Sequence, residues 1–280
     1  MALIQVNFMS KTLFRTVPMQ VILPVDKFTR PGAPVREDKP FKTLYLLHGL
    51  LGNYTDWVTE TRIQKWATEK NLAVVMPSGD NSFYLDHPVS GNINNNYGEF
   101  IGNELVEITR KMFPLSHDRE DTYIAGLSMG GYGAIRNGLK YHETFGYIAG
   151  LSSAVHILED IVNVENRNIV YEESCFGSLE DAITSDKNPR VIVNNLKERQ
   201  SKGENIKFPK VYMACGTDDG LINVNRSYCD FFTESGLDIT YHEEPGHHDW
   251  AFWDKYILKV LEWLPLEDSA SGISSGNVRG

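Results

Sequence analysis

Six short, mostly apolar runs are spread along the chain, and their pattern predicts the strands of one sheet. Apolar runs of this length are typical of strands that are buried on both faces of a parallel sheet. The runs are Thr43–Leu47, Leu72–Met76, Thr122–Ala125, Tyr147–Leu151, Lys210–Cys215 and Ile239–His242.

The stretches between these runs carry apolar residues at every third or fourth position, which is the spacing of helices that bury one face. Ile101, Leu105 and Ile108 follow this spacing, and Met129–Tyr141 is a further predicted helix. Strands that alternate with helices predict an α/β fold with a mainly parallel central sheet. We expect about eight strands, with helices on both faces of the sheet.

The first 23 residues follow a different pattern and predict a β-hairpin. Gln5–Phe8 alternates polar and apolar residues, and Met19–Leu23 is a second β-prone run. Such a hairpin would add antiparallel strands at the edge of the sheet. Further along, residues 78–98 are rich in Gly, Asn, Ser and Tyr without periodicity, so we expect a long loop there.

The domain organisation follows from where the strand and helix signals stop. Residues 1–266 are predicted to form one α/β domain, because such folds exceed 200 residues as single units. Within it, residues 155–208 are polar with weak helical segments, and we interpret them as a small cap-like insertion above the sheet. Residues 267–280 are a Ser/Gly-rich stretch that predicts a flexible tail.

The composition of the chain indicates which binding partners and which cellular compartment are expected. The 280 residues carry a formal net charge of −10, which disfavours nucleic acid and anionic membranes as partners. Three cysteines at wide spacing predict neither a disulfide framework nor a zinc site. The N-terminal segment lacks the pattern of a signal peptide and no run is long enough to span a bilayer, so we expect a cytoplasmic protein. The oligomeric state, including a homo-oligomer, stays open.

The strongest chemical signal is the motif Gly126-Leu127-Ser128-Met129-Gly130. It follows a predicted strand and precedes a predicted helix, which is the context of a nucleophile elbow. The turn is so tight that the glycines on either side must keep clear of the strand and the helix. The serine is thereby exposed, and the N-terminus of the helix offers N–H groups to a developing oxyanion. The competing interpretation is a glycine-rich turn with an idle serine.

Two later motifs complete the chain order Ser…Asp…His of α/β hydrolases. Asp218-Asp219 follows the strand KVYMAC, and His247-His248 follows the last predicted strand. Each pair leaves a choice of register. An earlier turn, His48-Gly49-Leu50, follows the strand TLYLL. Its Leu50 N–H is the predicted second oxyanion donor beside the N–H of Met129, whereas His48 is interpreted as a structural residue.

Four segments resemble the esterase D–like α/β hydrolases: LYLLHGLLGNYTDW, AGLSMGGYGA, CGTDDGL and GHHDWAFW. This family includes tributyrin esterases, S-formylglutathione hydrolases, and feruloyl and acetyl esterases. The resemblance spans about residues 3–265 and is closest to small bacterial tributyrin-type carboxylesterases. It implies Ser128 as nucleophile, Asp219 rather than Asp218 as the acid, and His248 rather than His247 as the base.

One departure from the family bears on the substrate. The S-formylglutathione hydrolases usually carry a Ser-Gly-Leu-Thr-Cys-type turn where this chain has His48-Gly49-Leu50-Leu51-Gly52, which weakens the case for a glutathione thioester. The aromatic residues near the motifs have two interpretations. Trp57, Trp250, Trp253, Phe83 and Tyr84 are candidates for a pocket wall or for core or rim packing, and packing is the favoured interpretation for Trp253.

The sequence thus predicts a serine carboxylesterase that hydrolyses small-molecule, short-chain acyl esters through an acyl-enzyme, with no metal and no organic cofactor. The polar insertion 155–208 favours short acyl groups, because it offers little apolar area to a long chain. The alternatives are a feruloyl or acetyl esterase of plant polysaccharides, an S-formylglutathione hydrolase, and an acyltransferase. A non-catalytic binding protein would require the loss of a triad member, and all three are present.

Overall fold

A central β-sheet with helices on both faces forms the body of the protein, in a computed structural model that describes residues 1–28, 39–88, 94–159, 168–267 and 272–273. Its central sheet has eight strands in the order β1-β2-β4-β3-β7-β8-β9-β10, and a separate two-stranded ribbon pairs β5 with β6. The strands are β1 (Ala2–Ser10), β2 (Arg15–Leu23), β3 (Thr43–Leu47), β4 (Ala73–Pro77), β5 (Asp86–Pro88), β6 (Asn94–Asn96), β7 (Thr122–Leu127), β8 (Tyr147–Leu151), β9 (Lys210–Gly216) and β10 (Ile239–Glu244).

The last six strands of that order run parallel, which confirms the predicted fold class. The predicted hairpin is also present, since β1 pairs antiparallel with β2, and β2 pairs antiparallel with β4. The helices are α1 (Asp56–Glu60), α2 (Ile63–Glu69), α3 (Tyr97–Glu99), α4 (Leu105–Met112), α5 (Met129–Lys140), α6 (Ile169–Phe176), α7 (Leu179–Ile183), α8 (Pro189–Ser201), α9 (Ile222–Glu234) and α10 (Trp250–Trp263).

Two apolar cores lie on the two faces of the sheet. Alternate residues of β3 point to opposite sides, so Leu44 and Leu46 pack with α1, α2 and α10, whereas Tyr45 and Leu47 pack on the other face. That second face is covered by α4, α5, α8 and α9. Each of these buried side chains contributes roughly 1.5–3 kcal/mol to folding, which explains why the strand must be apolar throughout.

The segment that the sequence marked as a cap-like insertion contains α6, α7 and α8, with residues 160–167 outside the described part. Its last helix belongs to the main core, because Val193 and Leu196 are buried in the same cluster as α5. Of these three helices, only α6 contributes residues to the wall of the pocket described below. The segment therefore contributes to the layer that covers the sheet as well as to the pocket wall.

The predicted loop over residues 78–98 is partly wrong, because it contains short regular structure. Strands β5 and β6 pair antiparallel, and α3 begins at Tyr97. A π-helical turn over Phe100–Glu104 then joins α3 to α4. Three-residue elements are too short to show periodicity in the sequence, and residues 89–93 of this loop lie outside the described residues.

The described residues of the predicted tail, Gly272 and Ile273, contact the rest of the chain. The Ile273 N–H donates a hydrogen bond to the Phe28 carbonyl at 2.7 Å, and Gly272 lies against the same residue. The remainder of the tail, 268–271 and 274–280, lies outside the described residues, so its flexibility stays a prediction. Among the described helices, none is long and apolar enough to cross a bilayer.

Candidate active site

Ser128 sits in a sharp turn between β7 and α5, and its backbone is forced into a conformation rare for non-glycine residues (φ +52°, ψ −117°). The two flanking glycines make this turn sterically possible. A Cβ on Gly126 would collide with the Gly130 carbonyl, and one on Gly130 would lie 2.5 Å from the His48 carbonyl. Strain of this kind is found at functional sites where the surrounding structure holds it in place.

The structure brings Ser128 together with the two residues that the resemblance assigns to it. His248 Nε2 lies 2.9 Å from Ser128 Oγ, and His248 Nδ1 lies 2.8 Å from Asp219 Oδ2. Asp219 follows β9 and His248 follows β10. Because β7, β9 and β10 are parallel strands of one sheet, their carboxyl ends meet at one edge, and residues far apart in sequence converge there.

The alternative register residues are placed elsewhere. Asp218 is exposed, and its Oδ2 accepts a hydrogen bond from the Gly246 N–H at 3.3 Å. His247 is exposed as well. Adjacent residues in a loop point in different directions, so one member of the second pair, His248, reaches Ser128, and one member of the first pair, Asp219, reaches His248.

The Asp219 carboxylate is held in the ionised form. Burial alone raises its pKa, but hydrogen bonds from His248 and from the Leu221 N–H at 2.9 Å outweigh burial and leave the pKa below its ordinary value. The side chain is 1 % exposed, so protein donors take the place of water. A buried anion in this position fixes the orientation of the imidazole.

His48 is a buried structural residue of the turn after β3. Its Nε2 accepts a hydrogen bond from the Gly79 N–H at 2.9 Å, which leaves Nδ1 to donate to the Gly49 carbonyl at 2.7 Å. Burial lowers the pKa of His48, so the ring is a neutral tautomer with both nitrogens engaged. It therefore shapes the loop that carries Leu50.

Leu50 and Met129 both line the space in front of Ser128. Their N–H groups donate to no protein acceptor within the described ranges. Met129 is the first residue of α5, where N–H groups are unsatisfied and the helix dipole favours negative charge. The two amides are thus available to an oxygen of a bound molecule.

The next residue, Leu51, is held by a polar link to α6. Its backbone has a left-handed φ of +65°, and its N–H donates to Asn81 Oδ1 at 2.8 Å. The Asn81 carbonyl in turn accepts from the Tyr171 hydroxyl at 3.0 Å and from Cys175 Sγ at 3.2 Å. Asn81 therefore connects the loop beneath Leu50 to a helix that borders the pocket.

The pocket in front of Ser128 has a volume of about 310 Å³. Most of its wall is apolar or aromatic, and besides His248 the side chains of His156 and Glu172 add ionisable groups to it. The lining residues are Leu50, Phe83, Ser128, Met129, Ala154, His156, Ile157, Tyr171, Glu172, Leu221 and His248.

Sequence reasoning missed most of this wall, because it assigned no pocket residue within 155–208. The only signal for α6 was the triplet Ile169-Val170-Tyr171, which is too short to define a helix. Of the aromatic candidates, Phe83 does line the pocket. Trp57 and Tyr84 are instead buried in the cores and donate to the carbonyls of the β3 loop.

No group of three or more His, Cys, Asp or Glu side chains in the described ranges is arranged to hold a metal ion. The chemistry available at this site comes from a serine hydroxyl, an imidazole, a buried carboxylate and two free amides. Together they match the requirements of nucleophilic acyl transfer.

Known proteins resemble this chain over nearly its whole length. Residues 10–264 match the model of the Esterase family, described as "Putative esterase". An acetyl esterase from Caldicellulosiruptor saccharolyticus is 46 % identical over 270 residues, which cover 94 % of this chain and 98 % of that one.

Two solved structures from Staphylococcus aureus share the fold. One is a fluorophosphonate-binding serine hydrolase, with a TM-score of 0.79 and 31 % identity. The other is an S-formylglutathione hydrolase, with a TM-score of 0.77 and 30 % identity. Each comparison covers 94 % of this chain and 98 % of the other chain.

Proposed function

Since the chain belongs to the Esterase family and is a carboxylic ester hydrolase of the serine hydrolase type, we propose that it hydrolyses short-chain acyl esters through a Ser128–His248–Asp219 triad. The observation that supports the triad most strongly is the unbroken hydrogen-bonded line from Asp219 through His248 to Ser128 Oγ at the pocket. This line gives the serine a base and the base an orienting anion.

Acylation begins when Ser128 Oγ attacks the ester carbonyl carbon and its proton passes to His248 Nε2. The carbonyl oxygen becomes an oxyanion, which the N–H groups of Leu50 and Met129 bind. The bond from carbon to the alcohol oxygen then breaks, and His248 returns the proton to the departing alkoxide. The acyl group is left as an ester of Ser128.

Deacylation repeats these steps with water as the nucleophile. His248 takes a proton from the water, whose oxygen attacks the acyl carbon, and the same two amides bind the second oxyanion. The bond to Ser128 Oγ breaks, the carboxylic acid leaves, and His248 protonates the serine. In other enzymes one such amide-type donor lowers the barrier by roughly 3–4 kcal/mol, which is why two unpaired N–H groups facing the nucleophile matter.

The preference for short acyl groups is supported by the size and composition of the pocket. A volume of about 310 Å³ lies at the lower end of the range for small-molecule pockets, about 300–1,000 Å³. Each methylene of the acyl chain that stays in water instead of contacting an apolar wall loses about 0.8 kcal/mol of favourable binding free energy. The 46 % identity to an acetyl esterase supports the same conclusion.

The triad is tested by replacing its nucleophile. Ser128→Ala should fold normally, lose kcat for an acetyl ester by ~10⁴-fold or more, and lose stoichiometric labelling by a fluorophosphonate. The neighbouring buried serine supplies the control, because Ser153→Ala removes a hydroxyl that contacts neither His248 nor Ser128. Labelling or turnover that persists in Ser128→Ala would overturn the triad.

The acyl preference is tested by a series of nitrophenyl esters from acetyl to palmitoyl, with S-formylglutathione and methyl ferulate measured alongside. We expect kcat/KM to be highest for acetyl or butyryl and to fall from decanoyl onward. A value that keeps rising to palmitoyl would contradict the short-chain assignment but leave the triad intact. If kcat/KM is larger for S-formylglutathione or for methyl ferulate, the preferred substrate is a glutathione thioester or a feruloyl ester instead.

A further inference from the structure

The peptide group that carries the Leu50 N–H is held from its carbonyl end by His48. His48 Nδ1 donates to the Gly49 carbonyl at 2.7 Å, and this carbonyl belongs to the same peptide group as the Leu50 N–H. The C=O and N–H bonds of a trans peptide group lie in one plane and point in opposite directions. Fixing the carbonyl therefore restricts the direction of the N–H. His48 is 1 % exposed, and the Gly79 N–H holds its other ring nitrogen.

The chain beyond Leu50 completes a tight turn in a strained conformation. The Gly52 N–H donates to the Gly49 carbonyl at 3.2 Å, and Leu51, the third residue of this turn, has a left-handed φ of +65°. Turns with a positive φ at this position favour glycine, because a side chain is strained there. Leu51 is 84 % exposed, so packing of its side chain does little to offset the strain. Its N–H donates to Asn81 Oδ1 at 2.8 Å, and this hydrogen bond holds the conformation.

Asn81 is itself held in place, although the residue is exposed. Its carbonyl accepts hydrogen bonds from the Tyr171 hydroxyl at 3.0 Å and from Cys175 Sγ at 3.2 Å, both on α6. An acceptor on a fixed segment loses less conformational freedom when it forms a hydrogen bond than one on a mobile segment. Water can accept from the Leu51 N–H in place of Asn81, but a mobile water molecule does not fix the direction of that N–H.

We propose that Asn81 is a positioning residue for the oxyanion: its side chain keeps Leu51 left-handed and thereby directs the Leu50 N–H into the pocket. The assignment rests on the proposed function, because the Leu50 N–H is an oxyanion donor only for an ester attacked by Ser128. A donor of this kind acts on the transition state more than on the bound substrate. Loss of the Asn81 side chain should therefore lower kcat and leave KM nearly unchanged.

Two substitutions separate the side-chain acceptor of Asn81 from the rest of the residue. Asn81→Ala removes Oδ1 but keeps the carbonyl that Tyr171 and Cys175 bind, whereas Asn81→Asp keeps an acceptor oxygen of the same reach. Asn81→Ala should lower kcat for an acetyl ester by roughly three- to tenfold, the effect of losing one hydrogen bond, and leave KM within about twofold. Asn81→Asp should recover most of this loss.

Asn53 supplies a matched control next to the same turn. Its Oδ1 accepts from the Thr55 N–H at 2.9 Å, and the residue is exposed like Asn81. Asn53→Ala therefore removes the same kind of group, an amide oxygen that accepts from a backbone N–H, two positions away from Leu51. It should leave kcat within about twofold of the wild type, because the bond that it removes holds Thr55 and not Leu51.

A trifluoromethyl ketone distinguishes positioning from a general structural defect. Ser128 Oγ adds to its carbonyl carbon, His248 takes the serine proton, and the ketone oxygen becomes an oxyanion, so its Ki depends on the oxyanion donors. In Asn81→Ala this Ki should rise by the same factor as kcat/KM falls. The acid limb of kcat/KM should stay in place, because the triad is untouched. A purely structural defect would lower the fraction of sites titrated by a fluorophosphonate and leave Ki unchanged.

A double variant tests whether Asn81 acts through the strained backbone. Glycine adopts a positive φ about as readily as a negative one, so Leu51→Gly removes the strain that the hydrogen bond offsets. The double variant Asn81→Ala/Leu51→Gly should therefore be faster than Asn81→Ala alone. A double variant that is as slow as Asn81→Ala, or slower, would overturn the route through Leu51.

The outcomes separate this inference from the proposed function. If Asn81→Ala matches the wild type in kcat and in Ki while Ser128→Ala is inactive, the triad stands and the role of Asn81 is refuted. If Ser128→Ala retains activity, the triad itself is wrong. Parallel changes of kcat and Ki in Asn81→Ala, reversed in Asn81→Asp and absent from Asn53→Ala, support the positioning role.

Discussion

Replacing Asp219 with Asn leaves the shape of the side chain unchanged but exchanges one acceptor oxygen for a donor. In the native site, Oδ2 accepts from His248 Nδ1 and Oδ1 accepts from the Leu221 N–H. An amide keeps its oxygen at Leu221 and turns its NH₂ group to His248. The imidazole must then accept at Nδ1 and carry its proton on Nε2, where it faces Ser128 and is no longer a base.

The size of the effect follows from the competing orientation of the amide. If the introduced amide is flipped end for end, its oxygen again accepts from His248, but its NH₂ group then faces the Leu221 N–H, which is also a donor. An unsatisfied buried donor costs roughly 1–3 kcal/mol. The wrong tautomer of His248 therefore predominates. We expect kcat to fall by ~10³- to 10⁴-fold, the scale seen when a triad histidine is held in the wrong tautomer.

The assay is kcat on an acetyl ester, with the melting temperature recorded for each variant. Asp218→Asn is the matched control, because that carboxylate is exposed and its only described side-chain contact is a 3.3 Å hydrogen bond from the Gly246 N–H. It should stay within about twofold of the wild type. Equal losses at the two positions, or a larger loss at Asp218, would refute the register and the tautomer argument together.

Two further predictions concern stability. Burial raises the pKa of Glu104, but hydrogen bonds donated by residues 10–12 outweigh burial and lower the pKa overall. Ionised Glu104 therefore stabilises the folded state at pH values above its pKa in the unfolded chain, and this stabilisation is lost as the pH falls through its lower pKa in the folded protein. Glu104→Gln should therefore lower the melting temperature at neutral pH, with a difference that narrows on acidification; a gap independent of pH would contradict this. Gly130→Ala, whose Cβ meets the His48 carbonyl at 2.5 Å, should cost several kcal/mol in chemical denaturation (~3 or more), whereas Gly220→Ala has open space and should be nearly neutral.

The elbow was predictable from sequence because steric constraints act locally there. A serine held at a positive φ between a strand and a helix needs glycines two positions before and after it, and Gly126 and Gly130 display this requirement directly. The parallel strands were predictable for a similar reason, since burial on both faces leaves little room for polar residues.

The register of Asp219 and His248 could not be obtained from residue chemistry alone. Each has an identical neighbour, and the choice depends on which side chain the loop turns inward, a property of tertiary structure. Family resemblance supplied the choice at the sequence level. In the structure, the Asp219 carboxylate is buried and bonded to His248, whereas Asp218 is exposed. Both histidines are exposed, and His248 is distinguished by its hydrogen bonds to Asp219 and Ser128.

The pocket wall was hidden for a different reason. Helix α6 is short and mixes Tyr171 and Glu172, which face the pocket, with exposed neighbours such as Val170. Helix α8, which packs in the core and not at the pocket, is polar on average, although Val193 and Leu196 follow the spacing of a buried face. Residues 155–208 are polar on average, so a narrow apolar face within them is not evident from composition. The residues that pack against this face are distant in sequence.

Because Asn81 connects α6 to the loop that carries Leu50, we expect substitutions in α6 to affect that loop as well as the pocket wall. A variant of α6 that disturbs Tyr171 also disturbs the carbonyl of Asn81, whose amide holds the strained Leu51 next to the Leu50 N–H. Libraries that enlarge the pocket from this helix will therefore select compensating changes around Asn81. Substitutions in two segments some 90 residues apart in sequence should therefore have non-additive effects. Redesign of this enzyme would have to vary both segments together.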